Sequence, residues 1–216
     1  MPTATPQSTA LQCVLCGAHD STVFAVVDEK AYFRCRVCQL TFLDPSARLD
    51  QAHEKAEYLL HENDPADAGY RAFLSQLVEP LVPRLREGAE GLDYGCGPGP
   101  TLSGMLRERG LTVADYDPYF APDQALLENR YDFVTCTEVV EHFCDPQNEF
   151  VRLDRLLKPN GWLGIMTSLL DNDEGFERWH YRRDPTHVVF YKRITFEFLG
   201  RRLGWVPEFP ARRVVL

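Results

Sequence analysis

Hydrophobic and polar positions divide the chain into a β-rich N-terminal part, a helical middle part and a long alternation of strands and helices. Residues 21–27 and 30–34 are rich in β-branched and aromatic side chains and flank Asp28 and Glu29, which predicts a β-hairpin. From about residue 48 to residue 86, apolar residues recur at intervals of three to four, which predicts helices interrupted at prolines. We therefore expect a hairpin followed by helical segments in this part of the chain.

From residue 91 the pattern changes to short apolar runs separated by amphipathic segments. The runs predict strands at 91–94, 111–114, 131–137 and 162–168, and two short strands around Trp205 and Val214. The amphipathic segments predict helices at 101–110, 143–157 and 195–203. Because strand and helix alternate, we expect a parallel sheet with right-handed helical crossovers, which defines the α/β class.

Composition and charge narrow the class of protein and its partners. The 216 residues are 44% hydrophobic and 25% charged, which predicts one folded α/β domain with a small appendage. The formal net charge of −9 disfavours nucleic acid as a partner. The first ten residues contain no basic residue and no apolar segment, and no apolar run reaches about 18 residues, so we expect a cytoplasmic protein without a signal peptide or a membrane span.

Seven cysteines are an odd number, and four of them form two pairs with the spacing of a metal site. Cys13 and Cys16 precede the predicted hairpin, and Cys35 and Cys38 end it, with eighteen residues between the pairs. Four thiolates that converge in this way bind Zn²⁺ tetrahedrally and leave no coordination position for a substrate. We therefore predict a structural zinc ribbon, with a redox-active dithiol as the alternative.

A glycine loop joins the strand at 91–94 to the helix that follows it. Its glycines allow a tight turn and a close approach of a ligand, either a dinucleotide or S-adenosylmethionine. A dinucleotide site requires a third glycine where this chain has Pro100, and the carboxylate of Asp93 suits a methionyl ammonium better than a pyrophosphate. We expect Asp115 after the next strand to accept the ribose hydroxyls, and Tyr116 to pack on the adenine.

Four motifs in this order resemble those of the class I S-adenosylmethionine-dependent methyltransferases, and most closely the group that includes the quinone-biosynthesis methylases. They are the glycine loop, the acidic residue after the second strand, 131–134 with 138–142, and 157–162. The resemblance, over about residues 70 to 216, implies a Rossmann-like fold with a seven-stranded sheet and an antiparallel last strand. It implies that the cofactor is bound by Asp93, Gly95, Gly97, Gly99, Asp115, Tyr116 and Glu138. The segment 118–130 is shorter than the family pattern, so we assign no adenine-contacting residue within it.

Two histidines are candidates for the general base that accepts a proton from the methyl acceptor. His142 lies at the sheet edge where ligands of parallel sheets bind, and His187 lies in an aromatic-rich insertion, residues 171–191. For His142 the alternative is a residue that only shapes the pocket, and for the insertion it is a segment that packs on the core. As a substrate lid, the insertion would also offer Arg182 or Arg183 to an anionic group of the acceptor.

The sequence thus predicts methyl transfer from S-adenosylmethionine to a small-molecule or carrier-linked acceptor. The alternatives are an RNA methyltransferase whose zinc ribbon binds RNA, a protein methyltransferase and a non-catalytic scaffold. We predict a disordered lead-in over 1–10, a zinc-ribbon hairpin over 11–45, a helical linker or cap over 46–90 and a methyltransferase domain over 91–216. The acceptor atom and the oligomeric state are left open.

Overall fold

The computed structural model describes residues 11–60 and 64–216 as an α/β fold that begins with a cysteine-rich hairpin. The predicted disordered lead-in, residues 1–10, lies outside the described residues. The strands are β1 Ser21–Val27, β2 Lys30–Cys35, β3 Thr41–Leu43, β4 Glu90–Tyr94, β5 Thr112–Tyr116, β6 Tyr131–Thr137, β7 Leu157–Met166, β8 Val189–Phe190 and β9 Val214–Val215. The α-helices are α1 Gln51–Tyr58, α2 Ala68–Leu81, α3 Thr101–Glu108, α4 Pro146–Leu156 and α5 Arg193–Leu203.

The main sheet has five strands among the described residues, in the order β5-β4-β6-β7-β9. Strands β4 to β7 run parallel, and β9 is antiparallel to β7. The predicted α/β class and the antiparallel last strand are confirmed, whereas five strands are present instead of the expected seven. The short segment 118–130 contains a single 3-10 turn and no strand. No strand forms around Trp205 either, and its indole donates a hydrogen bond to Asp154 at 2.7 Å.

Helices cover both faces of the main sheet and bury its apolar side chains. On one face, Leu77 of α2 and Leu106 of α3 pack in a cluster with Phe133 of β6. On the other face, Phe150 of α4 belongs to a second cluster that contains Val134. Successive side chains of a strand point to opposite faces, which is why neighbouring residues of β6 enter different clusters. Across residues 11–60 and 64–216, no helix is long and apolar enough to cross a membrane.

The N-terminal hairpin continues into a second sheet of four strands, in the order β1-β2-β3-β8. Strands β1 and β2 form as predicted, and Asp28 and Glu29 make the turn between them in left-handed backbone conformations. Because β8 belongs to the insertion after β7, this second sheet joins the hairpin to the α/β part of the chain. The four-part division of the chain stays a prediction, and contacts that cross its boundaries include the pairing of β3 with β8 and the packing of α2 on the main sheet.

Candidate active site

A cavity of about 770 Å³ opens at the carboxyl ends of β4, β5 and β6. Ligands of open parallel sheets bind at this edge, outside the ends of the strands. Its wall is formed by the loops after these three strands, by α1 and by the insertion, residues 171–191. Every residue of the predicted cofactor site lines this cavity except Asp115, and both candidate bases, His142 and His187, line it as well.

The glycine loop turns sharply between β4 and α3. Gly95 and Gly97 have positive φ angles of 85° and 66°, a backbone region that favours glycine. A Cβ atom on Gly95 would lie 2.9 Å from Cγ1 of Val139 and closer still to Cγ2, so this position has no room for a side chain. The amides of Gly95 and Cys96 donate hydrogen bonds to the carbonyl oxygen of Tyr116 at 2.7 and 3.1 Å. These bonds hold the loop against β5, and the loop lines the cavity.

The carboxylate that reaches the cavity from β5 is that of Asp117, and the sequence-based choice of Asp115 is corrected. β5 extends two residues beyond its predicted end, so Asp115 lies within the strand, in register with Asp93. The carboxylate of Asp115 forms an ion pair with Arg107 of α3 and does not line the cavity. Asp117 follows the end of the strand, lines the cavity and accepts a hydrogen bond from the amide of Gly97 at 3.1 Å.

The carboxyl groups of Asp93, which is buried, and of Glu138, which is half-buried, line the cavity and have shifted pKa values. Burial raises the pKa of Asp93 to about 7, although a hydrogen bond from the Thr135 hydroxyl at 2.7 Å opposes the shift. Burial also raises the pKa of Glu138 to about 7, against the opposing effect of the Arg213 guanidinium. Glu138 has a φ of 51°, and its Oε1 atom has no hydrogen-bond partner among the described residues. A cationic ligand would stabilise the charged forms of both groups, which fits the charge of S-adenosylmethionine.

His142 and His187 lie side by side in the cavity wall, with ring centroids 4.7 Å apart. The Nδ1 atom of His142 is 3.1 Å from the carbonyl oxygen of Thr186, and that of His187 is 2.6 Å from the carbonyl oxygen of Tyr181. Because a carbonyl oxygen only accepts hydrogen bonds, each neutral ring carries its proton on Nδ1 and accepts protons at Nε2. The Nε2 atom of His187 lies 3.8 Å from the carboxylate of Asp184. Both candidate bases therefore have the same tautomer in the same cavity.

Glu141 lies beside the two histidines, in the core of the protein. Its fully buried side chain accepts hydrogen bonds from the hydroxyls of Tyr181 and Thr167, the second at 3.1 Å. The ligand atoms of Glu141, His142 and His187 lie within 4.8 Å of one another, a separation that one metal ion can bridge. Both carboxyl oxygens of Glu141 already have hydroxyl partners, and burial raises its pKa well above the ordinary value. These two properties favour a supporting role for Glu141 over metal binding.

Arg182 and Arg183 do not line the cavity. The guanidinium of Arg182 is buried between the hairpin and the insertion, where it donates a hydrogen bond to the carboxylate of Asp28 at 3.2 Å. Both arginines line a smaller cavity of about 120 Å³ beside His187, so their binding of an anionic group of the acceptor stays a prediction that the main cavity does not support. The arginines that do line the cavity are Arg152 and Arg213.

The four N-terminal cysteines lie on two matching turns. The residues after the second cysteine of each pair, Gly17 and Gln39, both have positive φ angles and donate their amides to the carbonyl of the first cysteine at 3.0 Å. Between the two turns, the sulfur of Cys13 lies 3.5 Å from that of Cys38, and the sulfur of Cys16 lies 3.5 Å from that of Cys35. Zn–S bonds of about 2.3 Å place tetrahedral sulfurs about 3.8 Å apart. All four sulfurs lie within 4.8 Å of one another, so the quartet fits one zinc ion.

The residues of the cavity wall that were not expected from the sequence include Glu54 and Tyr58 of α1, and Arg213 near the C-terminus. The hydroxyls of Tyr58 and Tyr119 donate hydrogen bonds to the two carboxylate oxygens of Glu54 at 2.7 and 3.0 Å. The ring of Tyr58 also lies edge-on to that of His142, with centroids 5.2 Å apart. α1 thus covers the histidine side of the cavity, and no local sequence pattern marks a contact between segments so far apart.

The comparison with protein families shows the family to which the chain belongs. A family model described as a methyltransferase domain matches residues 66–208, which is more than half of the chain. The chain belongs to this methyltransferase-domain family. S-adenosylmethionine is the cofactor of the family, and the predicted class I resemblance and the predicted cofactor are confirmed. The glycine loop and the acidic cavity fit that cofactor.

Two curated methyltransferases are similar to part of the chain. The ubiquinone biosynthesis O-methyltransferase of Thiobacillus denitrificans is 35% identical over 37% of this chain and 44% of that protein. The enzyme of the same name from Paracidovorax citrulli is 31% identical over 50% of this chain and 52% of that protein. The chain spans about half the length of the curated relatives it matches. Among solved structures, the 1,6-didemethyltoxoflavin-N1-methyltransferase of Burkholderia thailandensis has 17% identity and a TM-score of 0.46 over 91% of this chain and 96% of that chain.

Proposed function

We propose that this methyltransferase transfers the methyl group of S-adenosylmethionine to a hydroxyl group of a small, uncharged aromatic acceptor. The observation that carries the proposal is the pair His142 and His187, held in one tautomer in the same cavity as the glycine loop. A histidine base near neutral pKa suits the removal of a proton from a hydroxyl nucleophile. The relatives named as ubiquinone biosynthesis O-methyltransferases support oxygen as the acceptor atom.

We assign the loops after β4, β5 and β6 to cofactor binding. Asp93 and the glycine loop hold the methionyl part, Asp117 accepts the ribose hydroxyls, and Tyr116 packs on the adenine. When bound, the cofactor supplies a methyl group activated by a positively charged sulfur. The carboxyl groups of Asp93 and Glu138, whose pKa values lie near 7, lose protons more readily beside that charge and stabilise it.

We assign the insertion and α1 to the acceptor. His187 accepts the hydroxyl proton at Nε2 while its Nδ1 proton stays hydrogen-bonded to the carbonyl of Tyr181. The carboxylate of Asp184, 3.8 Å from Nε2, stabilises the positive charge that the ring then carries. His142 orients the hydroxyl from the neighbouring position, and Tyr58 covers this side of the cavity. Positioning of the acceptor against the cofactor supplies much of the remaining acceleration.

The charge of the cavity supports an uncharged acceptor. Two arginines line it, against a larger number of carboxyl groups, those of Glu54, Asp93, Asp117, Glu138, Asp145, Glu149 and Asp184. A negative wall attracts a cationic cofactor and disfavours an anionic acceptor. The rings of Tyr58 and Tyr181, each in contact with one of the histidines, offer packing surfaces to a planar aromatic molecule.

A methyl-transfer screen with labelled S-adenosylmethionine tests the proposal. We expect label in uncharged phenols and catechols, and at least about 10-fold less in their carboxylated analogues, because each unfavourable charge contact costs on the order of 1 kcal/mol. Aromatic amines of the same shape serve as the comparison for the acceptor atom. A parallel assay on cell extract with and without RNase includes RNA as an acceptor. Label confined to amines, to carboxylated acceptors or to RNase-sensitive material would contradict the proposal.

The two aspartates of β5 and its following loop make a matched pair for testing the cofactor site. We expect Asp117→Asn to weaken S-adenosylmethionine binding by about 10- to 100-fold, because charge-assisted hydrogen bonds contribute about 1.5–3 kcal/mol. Asp115→Asn removes the same charge two positions earlier but outside the cavity, so we expect its dissociation constant to stay within about 3-fold of the original. Calorimetry with S-adenosylmethionine measures both. A larger loss of cofactor affinity in the Asp115 variant would mean that Asp115, and not Asp117, accepts the ribose hydroxyls.

A further inference from the structure

The ribbon, residues 11–45, is bonded directly to the segment that carries His187. β3 and β8 are antiparallel, with Thr41 opposite Phe190 and Phe42 opposite Val189. The amide of Leu43 donates a hydrogen bond to the carbonyl of Val188 at 2.8 Å. The residue next to His187 in the chain is therefore held by a strand of the ribbon.

Side chains of the insertion contact the ribbon at two further places. Near its start, the carboxylate of Asp173 accepts two hydrogen bonds from the guanidinium of Arg34 in β2, at 3.1 and 2.9 Å. Phe176 is fully buried against the ring of Tyr32 in β2 and that of Phe24 in β1, with centroids 5.0 and 5.1 Å away. The ribbon thus contacts the insertion near its start and near its end, and the loop after β6 also holds it, because the amide of Val188 donates a hydrogen bond to the carbonyl of Glu141 at 2.9 Å.

The same insertion forms the histidine side of the cavity. The carbonyl of Tyr181 accepts the hydrogen bond of His187 Nδ1, and the carbonyl of Thr186 accepts that of His142 Nδ1. Both carbonyls lie between Phe176 and Val189, two residues through which the ribbon contacts the insertion. A shift of this segment would move the two carbonyls away from the Nδ1 atoms. The histidines would then no longer be held with the proton on Nδ1. The residues assigned to the cofactor lie instead at the ends of β4, β5 and β6, which pair with one another in the main sheet.

The ribbon is stabilised by apolar burial that it shares with the α/β part, since Leu40 and Phe42 belong to the same core cluster as Phe150, and by its cysteine quartet. Domains below about 40 residues usually need a metal, disulfides or a partner to fold, and binding of the metal then supplies the folding free energy. The buried residues of the ribbon include three of its own cysteines, Cys13, Cys35 and Cys38. Cys35 ends β2 and Cys38 lies in the turn between β2 and β3, so loss of the metal would loosen the segment that leads into β3.

We propose that the zinc ribbon is the positioning element of the acceptor half of the active site, and that cofactor binding does not depend on it. The inference rests on the proposed function for the identity of the acceptor half. It makes Phe176 a positioning residue, because its ring links the ribbon to the insertion and does not line the cavity. The cysteine quartet acts through the same linkage.

Removal of zinc from the full chain tests the inference, with three measurements on one sample. We expect backbone hydrogen–deuterium exchange over 186–190 to rise at least about 10-fold, since local opening replaces the β3–β8 pairing. We expect the dissociation constant for S-adenosylhomocysteine to stay within about 3-fold, and the turnover of any methylated acceptor to fall at least about 10-fold. Phe176→Ala, which retains all four cysteines, should keep its zinc and shift the same three readouts in the same directions.

Val37→Ser is the control within the ribbon, because its exposed side chain lies between Cys35 and Cys38 and points to solvent. It should leave zinc content, exchange, cofactor affinity and turnover unchanged. Unchanged exchange over 186–190 in both the zinc-free protein and the Phe176 variant would overturn the inference, and so would an equal loss of cofactor affinity. If no acceptor is methylated by any form, the proposed function fails, while exchange and cofactor affinity still decide whether the ribbon positions the insertion.

Discussion

We expect His187→Ala to lower the rate of methyl transfer by about 10²- to 10⁴-fold, because general base catalysis contributes a factor of this size. Its Nε2 atom is the proton acceptor, and its ring is oriented by the carbonyl of Tyr181 on one side and the carboxylate of Asp184 on the other. We expect a similar loss for His142→Ala, since the two rings are in contact and share the acceptor side of the cavity. The loss should appear in kcat, whereas the dissociation constant for S-adenosylhomocysteine should stay within about 3-fold.

His19→Ala is the control for these two variants, because His19 is an exposed residue of the ribbon. Its activity should equal that of the unsubstituted protein. Rates are measured with an acceptor from the screen at saturating cofactor, and binding is measured by calorimetry on the same preparations. Two alanine variants that retain full turnover would eliminate the histidines as bases and leave positioning alone as the source of the rate.

Alanine at Gly95 is expected to weaken S-adenosylmethionine binding by at least about 100-fold, an effect of about 2.7 kcal/mol. The left-handed backbone at this position costs a residue with a Cβ about 1–2 kcal/mol. The new Cβ would also press on the side chain of Val139, which follows Glu138 in the cavity wall. Relief of that contact displaces the loop from the position in which its backbone meets the cofactor. The variant should also melt several degrees lower, at about 2–4 °C per kcal/mol.

Gly88→Ala separates backbone strain from the steric contact. Gly88 has a φ of 67°, similar to the conformation of Gly95, but a Cβ there meets no atom within 4 Å. This variant should lose a comparable amount of stability from the backbone alone and keep its cofactor affinity within about 2-fold. Calorimetry and thermal melting on both variants measure the two effects independently. Equal cofactor affinities in the two variants would mean that the glycine loop does not contact the ligand.

The error at Asp115 shows how a small shift in a predicted boundary changes a site. The apolar run of the second strand ends at Ala114, which suggests that the following aspartate lies at the sheet edge. Pairing with β4 carries the strand on to Tyr116, because backbone hydrogen bonds continue through polar residues when a neighbouring strand is present. The edge then falls at Asp117. A hydrophobic pattern records which side chains are buried, and it does not record where backbone pairing stops.

Arg182 illustrates a second kind of limit. The sequence shows a basic, aromatic-rich insertion, from which an anion-binding lid is a reasonable expectation. In the fold, Arg182 faces the ribbon and pairs with Asp28, a residue more than 150 positions earlier in the chain. Which of several charged side chains faces a cavity depends on the rotation of the whole segment, and here that rotation is set by the pairing of β3 with β8.

The sequence by itself determined the α/β class and showed the cysteine quartet and the glycine loop, because each of these is encoded over a few residues. The roles of His142 and His187 stay a proposal. Helical and strand periodicity, the CxxC spacing and the glycine turn are all consequences of local backbone geometry. Only the tertiary structure decided that Asp117 reaches the cavity, that α1 covers it with Tyr58, and that the ribbon holds the insertion beside His187. These are contacts between segments distant in the chain, and they are selected by the fit of whole packed surfaces, to which no short stretch of sequence corresponds.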